Sequence, residues 1–142
     1  MFSRIKKAIK DFRELKYLAY HDSLTKLLNR NWIHKNLDFI RVKYQYIYFI
    51  DINDLREINK SGHTYGDEYI KKVVNSIHLS NDDILCRYAG DEFILFSNRL
   101  NVVETNDLIA VGFFKMGDNC IESIQWADIE MIRAKNEYKL KK

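Results

Sequence analysis

The feature that most constrains the fold is a pair of strand-like stretches separated by a short turn. ILCRY precedes the turn and FILF follows it, and both are rich in residues that favour β-strands. Residues 89–92 between them therefore predict a β-hairpin turn, in which Gly90 is expected to supply backbone freedom. Two adjacent acids, Asp91 and Glu92, lie in this turn. Taken alone, they are as well explained by a solvated hairpin tip as by a functional site.

The size and composition of the chain indicate one globular domain. It has 142 residues, of which 46% are hydrophobic and 13% aromatic, and a chain of this size buries roughly 68% of its unfolded surface. No apolar run approaches the ~20 residues of a membrane span, and the N-terminus lacks the pattern of a secretory signal. We therefore expect a cytoplasmic protein in which Cys86 and Cys120 stay reduced as small buried hydrophobes.

Residues 1–20 contain an amphipathic helix, which we separate from a folded domain over residues 21–142. Lysine and arginine alternate with apolar residues that recur at helical spacing: Phe2, Ile5, Ile9, Phe12, Leu15 and Leu18 or Ala19. We expect this helix to dock on the domain or on a second copy of itself. Binding to a membrane surface is the less favoured alternative, because acids interrupt the basic face.

The remaining pattern predicts an α+β fold. A helix is expected over about residues 31–42 and a buried strand over residues 46–52, followed by a short helix, a glycine-marked turn and a longer helix. The hairpin comes next, then a strand in LIAVGFFKM and a final helix in IESIQWADIEMIRAKNEYK. This order favours a mainly antiparallel sheet flanked by helices.

Acids at the ends of the predicted strands suggest a metal site. Asp51 ends the strand over residues 46–52, so it meets Asp91 and Glu92 if the hairpin lies beside that strand. Converging carboxylates repel each other unless a cation lies among them, and hard oxygen ligands suit Mg²⁺, which prefers to share its shell with phosphates. Because lysines are available to bind phosphate, the pattern suggests nucleotidyl transfer with a pyrophosphate leaving group.

Five short motifs, in order over residues 22–139, resemble those of the GGDEF family of diguanylate cyclases. DSLTKLLNR resembles D-x-L-T-G-L-x-N-R, DINDLREIN resembles D-x-D-x-F-K-x-I-N, and GHTYGD resembles G-H-x-x-G-D. RYAGDEF differs at one position from R-Y-G-G-D-E-F, and ADIEMIRAK resembles A-D-x-A-x-x-x-A-K. The resemblance implies a palm-like sheet and the condensation of two GTP molecules into cyclic di-GMP by a homodimer, in which each subunit presents one GTP.

The resemblance also implies roles for individual residues. The ligands of Mg²⁺ or Mn²⁺ would be Asp51, the backbone carbonyl of Ile52, Asp91 and Glu92, and the last two would be catalytic. Asn59 and Asp67 would read the guanine edge. The cations that bind phosphate would be Lys135, Arg56 and Lys139, of which Arg56 replaces a lysine and Lys139 replaces an arginine.

Several positions depart from the family pattern. Ala89 replaces the first glycine of the signature, so that a positive φ there would be strained. Asn53 replaces an acid, Lys60 replaces an aspartate, and residues 98–107 replace a whole helix. These changes leave open a second function, a catalytically degenerate domain that binds GTP or a partner protein without turnover.

Two further expectations concern other ligands. Ser80 stands where the family's product-inhibition motif has an arginine, so cyclic di-GMP is not expected to inhibit through Asp83. A module that binds nucleic acid or a membrane through the basic chain ends would explain the net charge of +3. That alternative leaves the carboxylates without a role, and no nucleic acid partner is expected.

Overall fold

The computed structural model describes all 142 residues and shows a five-stranded sheet flanked by helices. The helices are α1 (Phe2–Tyr20), α2 (Arg30–Lys35), α3 (Leu37–Lys43), α4 (Leu55–Asn59), α5 (His63–Asn75) and α6 (Cys120–Leu140). The strands are β1 (Leu28–Asn29), β2 (Tyr46–Ile52), β3 (Ile84–Arg87), β4 (Glu92–Ser97) and β5 (Ile109–Lys115). None of the six helices combines the length with the apolar composition that a membrane-spanning helix needs.

The strands lie in the order β1-β3-β4-β2-β5, and only β1 and β3 run parallel. The predicted α+β class with a mainly antiparallel sheet is therefore confirmed. So is the hairpin, because β3 pairs with β4 and the Tyr88 amide donates to the Glu92 carbonyl across the turn at 2.8 Å. The hairpin also lies beside β2, as the convergence of the acids requires.

Strand β2 is buried on both faces, which explains its nearly continuous apolar sequence. On one face, Ile47 and Phe49 join the core formed with α2, α3 and α6. On the other face, Tyr48 and Ile50 join the core that includes residues of α4 and α5. Asp51 shares the first face, because side chains alternate along a strand.

Three details of the predicted pattern are wrong. The helix expected over residues 31–42 is divided at Asn36, whose φ of −123° and ψ of 26° are not helical and whose side-chain amide donates to the Trp32 carbonyl at 2.8 Å. The two-residue strand β1 was missed because it is too short to show a periodicity. Gly90 has no positive φ, so the turn does not need its backbone freedom, and neither does Ala89 adopt a strained φ.

Helix α1 is formed as predicted but stands apart from both cores. None of its residues is buried, and the side-chain amides of Asn29 and Asn31 donate to the Ala19 carbonyl at its end, at 3.0 and 3.4 Å. Residues 98–107 contain no helix or strand, in agreement with the expected shortening. The apolar stripe of α1 is therefore left without a partner in the chain.

Gly112 of β5 allows α6 to lie directly on the sheet. A Cβ at this position would be 2.0 Å from the Ala127 carbonyl oxygen and 2.2 Å from the Met131 amide nitrogen. Ala127 and Met131 are buried against the sheet, and Lys135 follows on the same face of the helix at the same four-residue interval. The close approach at Gly112 therefore determines where Lys135 lies.

We predict that Gly112→Ala lowers the free energy of unfolding by about 1–3 kcal/mol, because the added methyl group overlaps helix backbone that cannot move alone. Gly90→Ala is the matched control, since a Cβ there meets no atom within 4 Å, and should change stability by less than about 0.5 kcal/mol. Urea denaturation measures both. Equal losses in the two variants would contradict the role given to Gly112.

Candidate active site

The register of β2 and β4 brings the predicted acids together at one end of the sheet. Asp51 is paired with Glu92 across the two strands, so both side chains lie on the same face. Asp91 precedes β4, and its backbone carbonyl accepts a hydrogen bond from the Ile52 amide at 2.9 Å. Asp51 is only 6% exposed, whereas Asp91 and Glu92 are half-buried.

Lys135 of α6 contacts the buried acid directly. Its Nζ donates to Asp51 Oδ2 at 2.5 Å. Burial raises the pKa of Asp51 and the neighbouring Asp91 raises it further, while the hydrogen bond and charge of Lys135 oppose the increase. The positive charge of Lys135 thus compensates the negative charge of the buried Asp51 carboxylate.

Glu92 lies in the same negative environment. Burial raises its pKa most, and the charges of Asp128, Asp91 and Asp51 raise it further, with only a small opposing effect from Arg30. Burial also raises the pKa of Asp128 on α6. Glu92 therefore lies near three other carboxylates, and Lys135 is the cation that contacts this group of acids directly. An added divalent cation would relieve this repulsion.

The carboxylate oxygens fit a magnesium or manganese ion whose remaining ligands come from water and a substrate. No group of three or more His, Cys, Asp and Glu side chains is arranged to hold a metal ion by itself. Mg²⁺ is usually bound in proteins by one or two carboxylates, with waters and substrate phosphates completing its shell. The hard oxygens of Asp51 and Glu92, on adjacent strands, match that requirement.

A cavity of about 320 Å³ adjoins Lys135. It is lined by Asn53, Asp54, Thr105, Asp107, Ala110, Lys135, Tyr138, Lys139 and Lys142. Asp107 joins the loop before β5 to the C-terminal end of α6. Its carboxylate accepts hydrogen bonds from Tyr138 Oη and Lys142 Nζ, each at 2.7 Å. Its lysines make the cavity suitable for an anionic group such as a phosphate chain.

Asn53, which replaces an acid of the family pattern, fastens the shortened loop to the end of β2. Its side-chain amide donates to the backbone carbonyls of Asn106 and Asp107, at 3.4 and 3.2 Å. Its backbone amide donates to the Leu108 carbonyl at 2.8 Å. An aspartate could not donate the first two of these bonds. The sequence shows the substitution, but only the structure shows its contacts.

The two residues expected to read guanine lie on adjacent helices. Asn59 ends α4, and Asp67 lies in the first turns of α5, one residue after the buried Gly66, which packs against the Asn59 side chain. Arg56 is exposed on α4 and forms no ion pair, and it does not line the lysine-containing cavity. Lys139 does line it, together with Lys135.

An ion pair between Arg87 and Asp22, which the sequence did not predict, supports the hairpin. Arg87 Nη1 donates to both carboxylate oxygens of Asp22, at 3.0 and 3.1 Å, and Nη2 donates to the Gly90 carbonyl at 2.8 Å. Burial would raise the pKa of Asp22, but hydrogen bonds from Thr25 and the charge of Arg87 hold it below its usual value. Asp22 and Arg87 both lie in recognised motifs, which was the available signal.

Asp128 was also missed as a neighbour of Glu92. It lies in the ADIEMIRAK motif, next to the buried Ala127, so its position on the sheet side of α6 was the signal.

The side chain of Asp83 forms hydrogen bonds within the domain. Its side chain is 1% exposed and accepts hydrogen bonds from Ser97 Oγ at 2.6 Å, from the Ser80 amide at 2.9 Å and from Arg99.

Residues 19–112 match the family described as "Diguanylate cyclase, GGDEF domain". The chain is 36% identical over 88 residues to the probable diguanylate cyclase DgcT of Escherichia coli. The aligned region covers 57% of this chain and 20% of that protein. The chain thus spans only a small part of the curated relative it matches.

Two solved structures of DgcB from Caulobacter crescentus, both in complex with c-di-GMP, share the fold. The coiled coil and GGDEF domain superpose with a TM-score of 0.81 and 17% identity, over 96% of this chain and 91% of that one. The GGDEF domain alone gives a TM-score of 0.69 and 19% identity, over 84% and 89%. The structure that includes the coiled coil therefore matches more of this chain.

We predict that Asn53→Asp destabilises the protein by about 1 kcal/mol or more, because a carboxylate would face two backbone carbonyl oxygens and could donate to neither. Asn53→Ala should cost less, since it removes the bonds without adding a charge. Thermal and urea unfolding of the two variants test this. A wild-type or higher stability of Asn53→Asp would show that the amide does not hold the loop.

Proposed function

Since this chain belongs to the GGDEF family, we propose that it is a diguanylate cyclase that condenses two GTP molecules into cyclic di-GMP with release of pyrophosphate. The observation that supports this most is the pairing of Asp51 with Glu92, next to Asp91 and in contact with Lys135. This places mutually repelling acids beside the lysine-containing cavity. A metal-dependent nucleotidyl transfer requires both features.

In this proposal, Mg²⁺ or Mn²⁺ would be held by Asp51, the Ile52 carbonyl, Asp91 and Glu92. Such an ion would neutralise phosphate charge and lower the pKa of the attacking 3′-hydroxyl. Glu92, on the same face of the sheet as Asp51, would help to orient that hydroxyl and accept its proton. Lys135, which contacts Asp51 in this structure, would be the residue that binds the terminal phosphates, while the metal ion would supply the positive charge at Asp51.

Other side chains would bind the rest of the nucleotide. Lys139 lies one helical turn beyond Lys135 and lines the same cavity, which fits a role in holding the phosphate chain. Arg56 is exposed and free to contribute when a nucleotide is present. Asn59 and Asp67 offer oxygen atoms that accept hydrogen bonds from N1 and N2 of guanine, which adenine cannot supply.

The joining of two GTP molecules requires two sites face to face, so we propose that the active form is a two-fold homodimer. Helix α1 is the element suited to bring the subunits together. Its apolar residues are exposed, with Ile5 at 52%, Ile9 at 47% and Phe12 at 67%. The greater coverage of the DgcB structure that includes a coiled coil supports this use of the helix.

The proposal extends to location and to other partners. A cytoplasmic location fits an enzyme that consumes GTP and has two free, buried cysteines. Contact of α1 with a membrane surface is the less favoured use of its apolar stripe, and no nucleic acid is needed. We treat residues 21–142 as the catalytic domain and residues 1–20 as the helix that assembles it.

The alternative function is a degenerate domain that binds GTP or a partner without turnover. Two observations favour it. Lys60, at a position where the family has an aspartate, is engaged with Glu57 at 2.8 Å, and Asn53 is engaged with the loop of residues 98–107. Measurement of turnover separates this alternative from the cyclase.

We predict Mg²⁺- or Mn²⁺-dependent formation of cyclic di-GMP and pyrophosphate from GTP, and its reduction by roughly 100-fold or more in Glu92→Gln. The fold should remain intact or become slightly more stable, because the substitution removes one charge from a repelling group. Glu137→Gln, which alters an exposed acid of α6 without contacts, should retain activity. Product identification by mass spectrometry measures turnover. GTP binding without product in the wild type would favour the degenerate domain.

We predict that specific activity rises with protein concentration, because an isolated pairing of fewer than three heptads is weak. Ile9→Glu or Phe12→Glu should reduce this activity and the dimer fraction seen by sedimentation. Ser3→Glu adds the same charge on another face of α1 and serves as the control. Activity that is independent of concentration in a monomeric protein would contradict the proposed assembly.

A further inference from the structure

The side chain of Asn59 is pressed against the one residue of α5 that has no side chain. An ideal Cβ built on Gly66 would lie 1.7 Å from Asn59 Oδ1 and 2.9 Å from its Cγ. Distances this short are overlaps, and the atoms involved belong to a short side chain with little room to adjust. The space that Gly66 leaves open is the space that Asn59 occupies.

Gly66 is required by this contact and not by the backbone. It lies inside α5 and has no positive φ, whereas Gly62, just before the helix, has a φ of +122°. A glycine within a helix lowers its stability by roughly 1 kcal/mol relative to alanine. Gly66 is also buried, so solvent exposure does not explain it.

No hydrogen bond within the protein holds the Asn59 side-chain amide in place. The Asn59 backbone carbonyl accepts a hydrogen bond from the Gly62 amide at 3.0 Å, which joins the end of α4 to the turn before α5. The side-chain amide makes no hydrogen bond to any other group of the protein, and its polar atoms are not among the buried atoms that lack a partner. The close approach to Gly66 limits where the amide can lie, and its polar atoms are not used by hydrogen bonds within the protein.

We propose that Gly66 is a positioning residue for base recognition, which sets where Asn59 presents its amide and so makes the site prefer GTP over ATP. This rests on the proposed function, in which Asn59 and Asp67 read guanine. Because Asp67 follows Gly66 directly, the same turn of α5 that packs on Asn59 also carries the second reader. The packing of α4 against α5 would then fix both acceptors relative to each other.

The ligand-free part of the test is a stability cycle with Gly66→Ala, Asn59→Ala and the double variant. In the wild-type background, Gly66→Ala should lower the melting temperature because the methyl group overlaps Asn59. In the Asn59→Ala background the overlap is absent, so the same change should raise the melting temperature through helix propensity. Thr64→Ala, on the exposed side of the same helix, is the control and should show no such reversal. A loss of equal size in both backgrounds would overturn the contact.

The binding part compares non-hydrolysable analogues of GTP and ATP. Gly66→Ala should weaken the GTP analogue roughly 5- to 10-fold, about the effect of one lost hydrogen bond, and leave the ATP analogue unchanged. The double variant should bind no more weakly than Asn59→Ala. A wild-type preference for GTP in Gly66→Ala, when Asn59→Ala has lost it, would overturn this proposal alone. If Asn59→Ala keeps the preference, base reading by Asn59 fails, and this proposal fails with it.

A second variant covers the case in which Gly66→Ala does not fold. Asn59→Gln keeps the amide but moves it one methylene away from the position that Gly66 allows. The proposal expects this variant to lose the preference for GTP although the same functional group is present. Retention of the preference would show that the placement of the amide against Gly66 does not matter, and would overturn the proposal.

Discussion

The packing of α6 on the sheet at Gly112 is the contact on which the candidate site depends. A side chain at this position would overlap the helix backbone, so the absence of one lets Ala127 and Met131 lie against β5 and β2. Lys135 is then carried to within 2.5 Å of the Asp51 carboxylate. Asp51 is buried, and a buried acid without a partner would be costly. The same helix–sheet contact thus builds the core and places a cation beside Asp51.

The electrostatics of the site explain why it is suited to an additional cation. One lysine faces Asp51, while Glu92 is surrounded by Asp51, Asp91 and Asp128. Burial and repulsion among these acids are unfavourable in the protein alone. Such an electrostatic cost is common in functional sites, where a ligand can relieve it. The supporting contacts lie further out. Asp22 and Arg87 hold the hairpin, while Asn53 and Asp107 hold the loop that borders the lysine-containing cavity.

The sequence allowed the central elements to be predicted but not the contacts between distant segments. Strand β2 was predicted because seven consecutive residues suit a buried strand, and the hairpin because a short turn separates two apolar runs. The helix is divided at Asn36, where the side-chain amide donates to the Trp32 carbonyl, and this break leaves no periodic signal in the sequence. The roles of Asn53 and Gly66 could not be predicted, because their partners are set by tertiary packing. Gly90 was misjudged because a glycine in a turn does not always have a positive φ.

The binding of a metal ion at Asp51 is the central claim of the proposed function, and manganese binding tests it most directly. Mn²⁺ is titrated against the protein with a non-hydrolysable GTP analogue, and free Mn²⁺ is followed by electron paramagnetic resonance. We predict that the nucleotide creates Mn²⁺ sites in the wild type and that Asp51→Asn weakens them by roughly 10-fold or more. Mn²⁺ that stays free in the presence of bound nucleotide, or binds equally well to Asp51→Asn, would contradict this account.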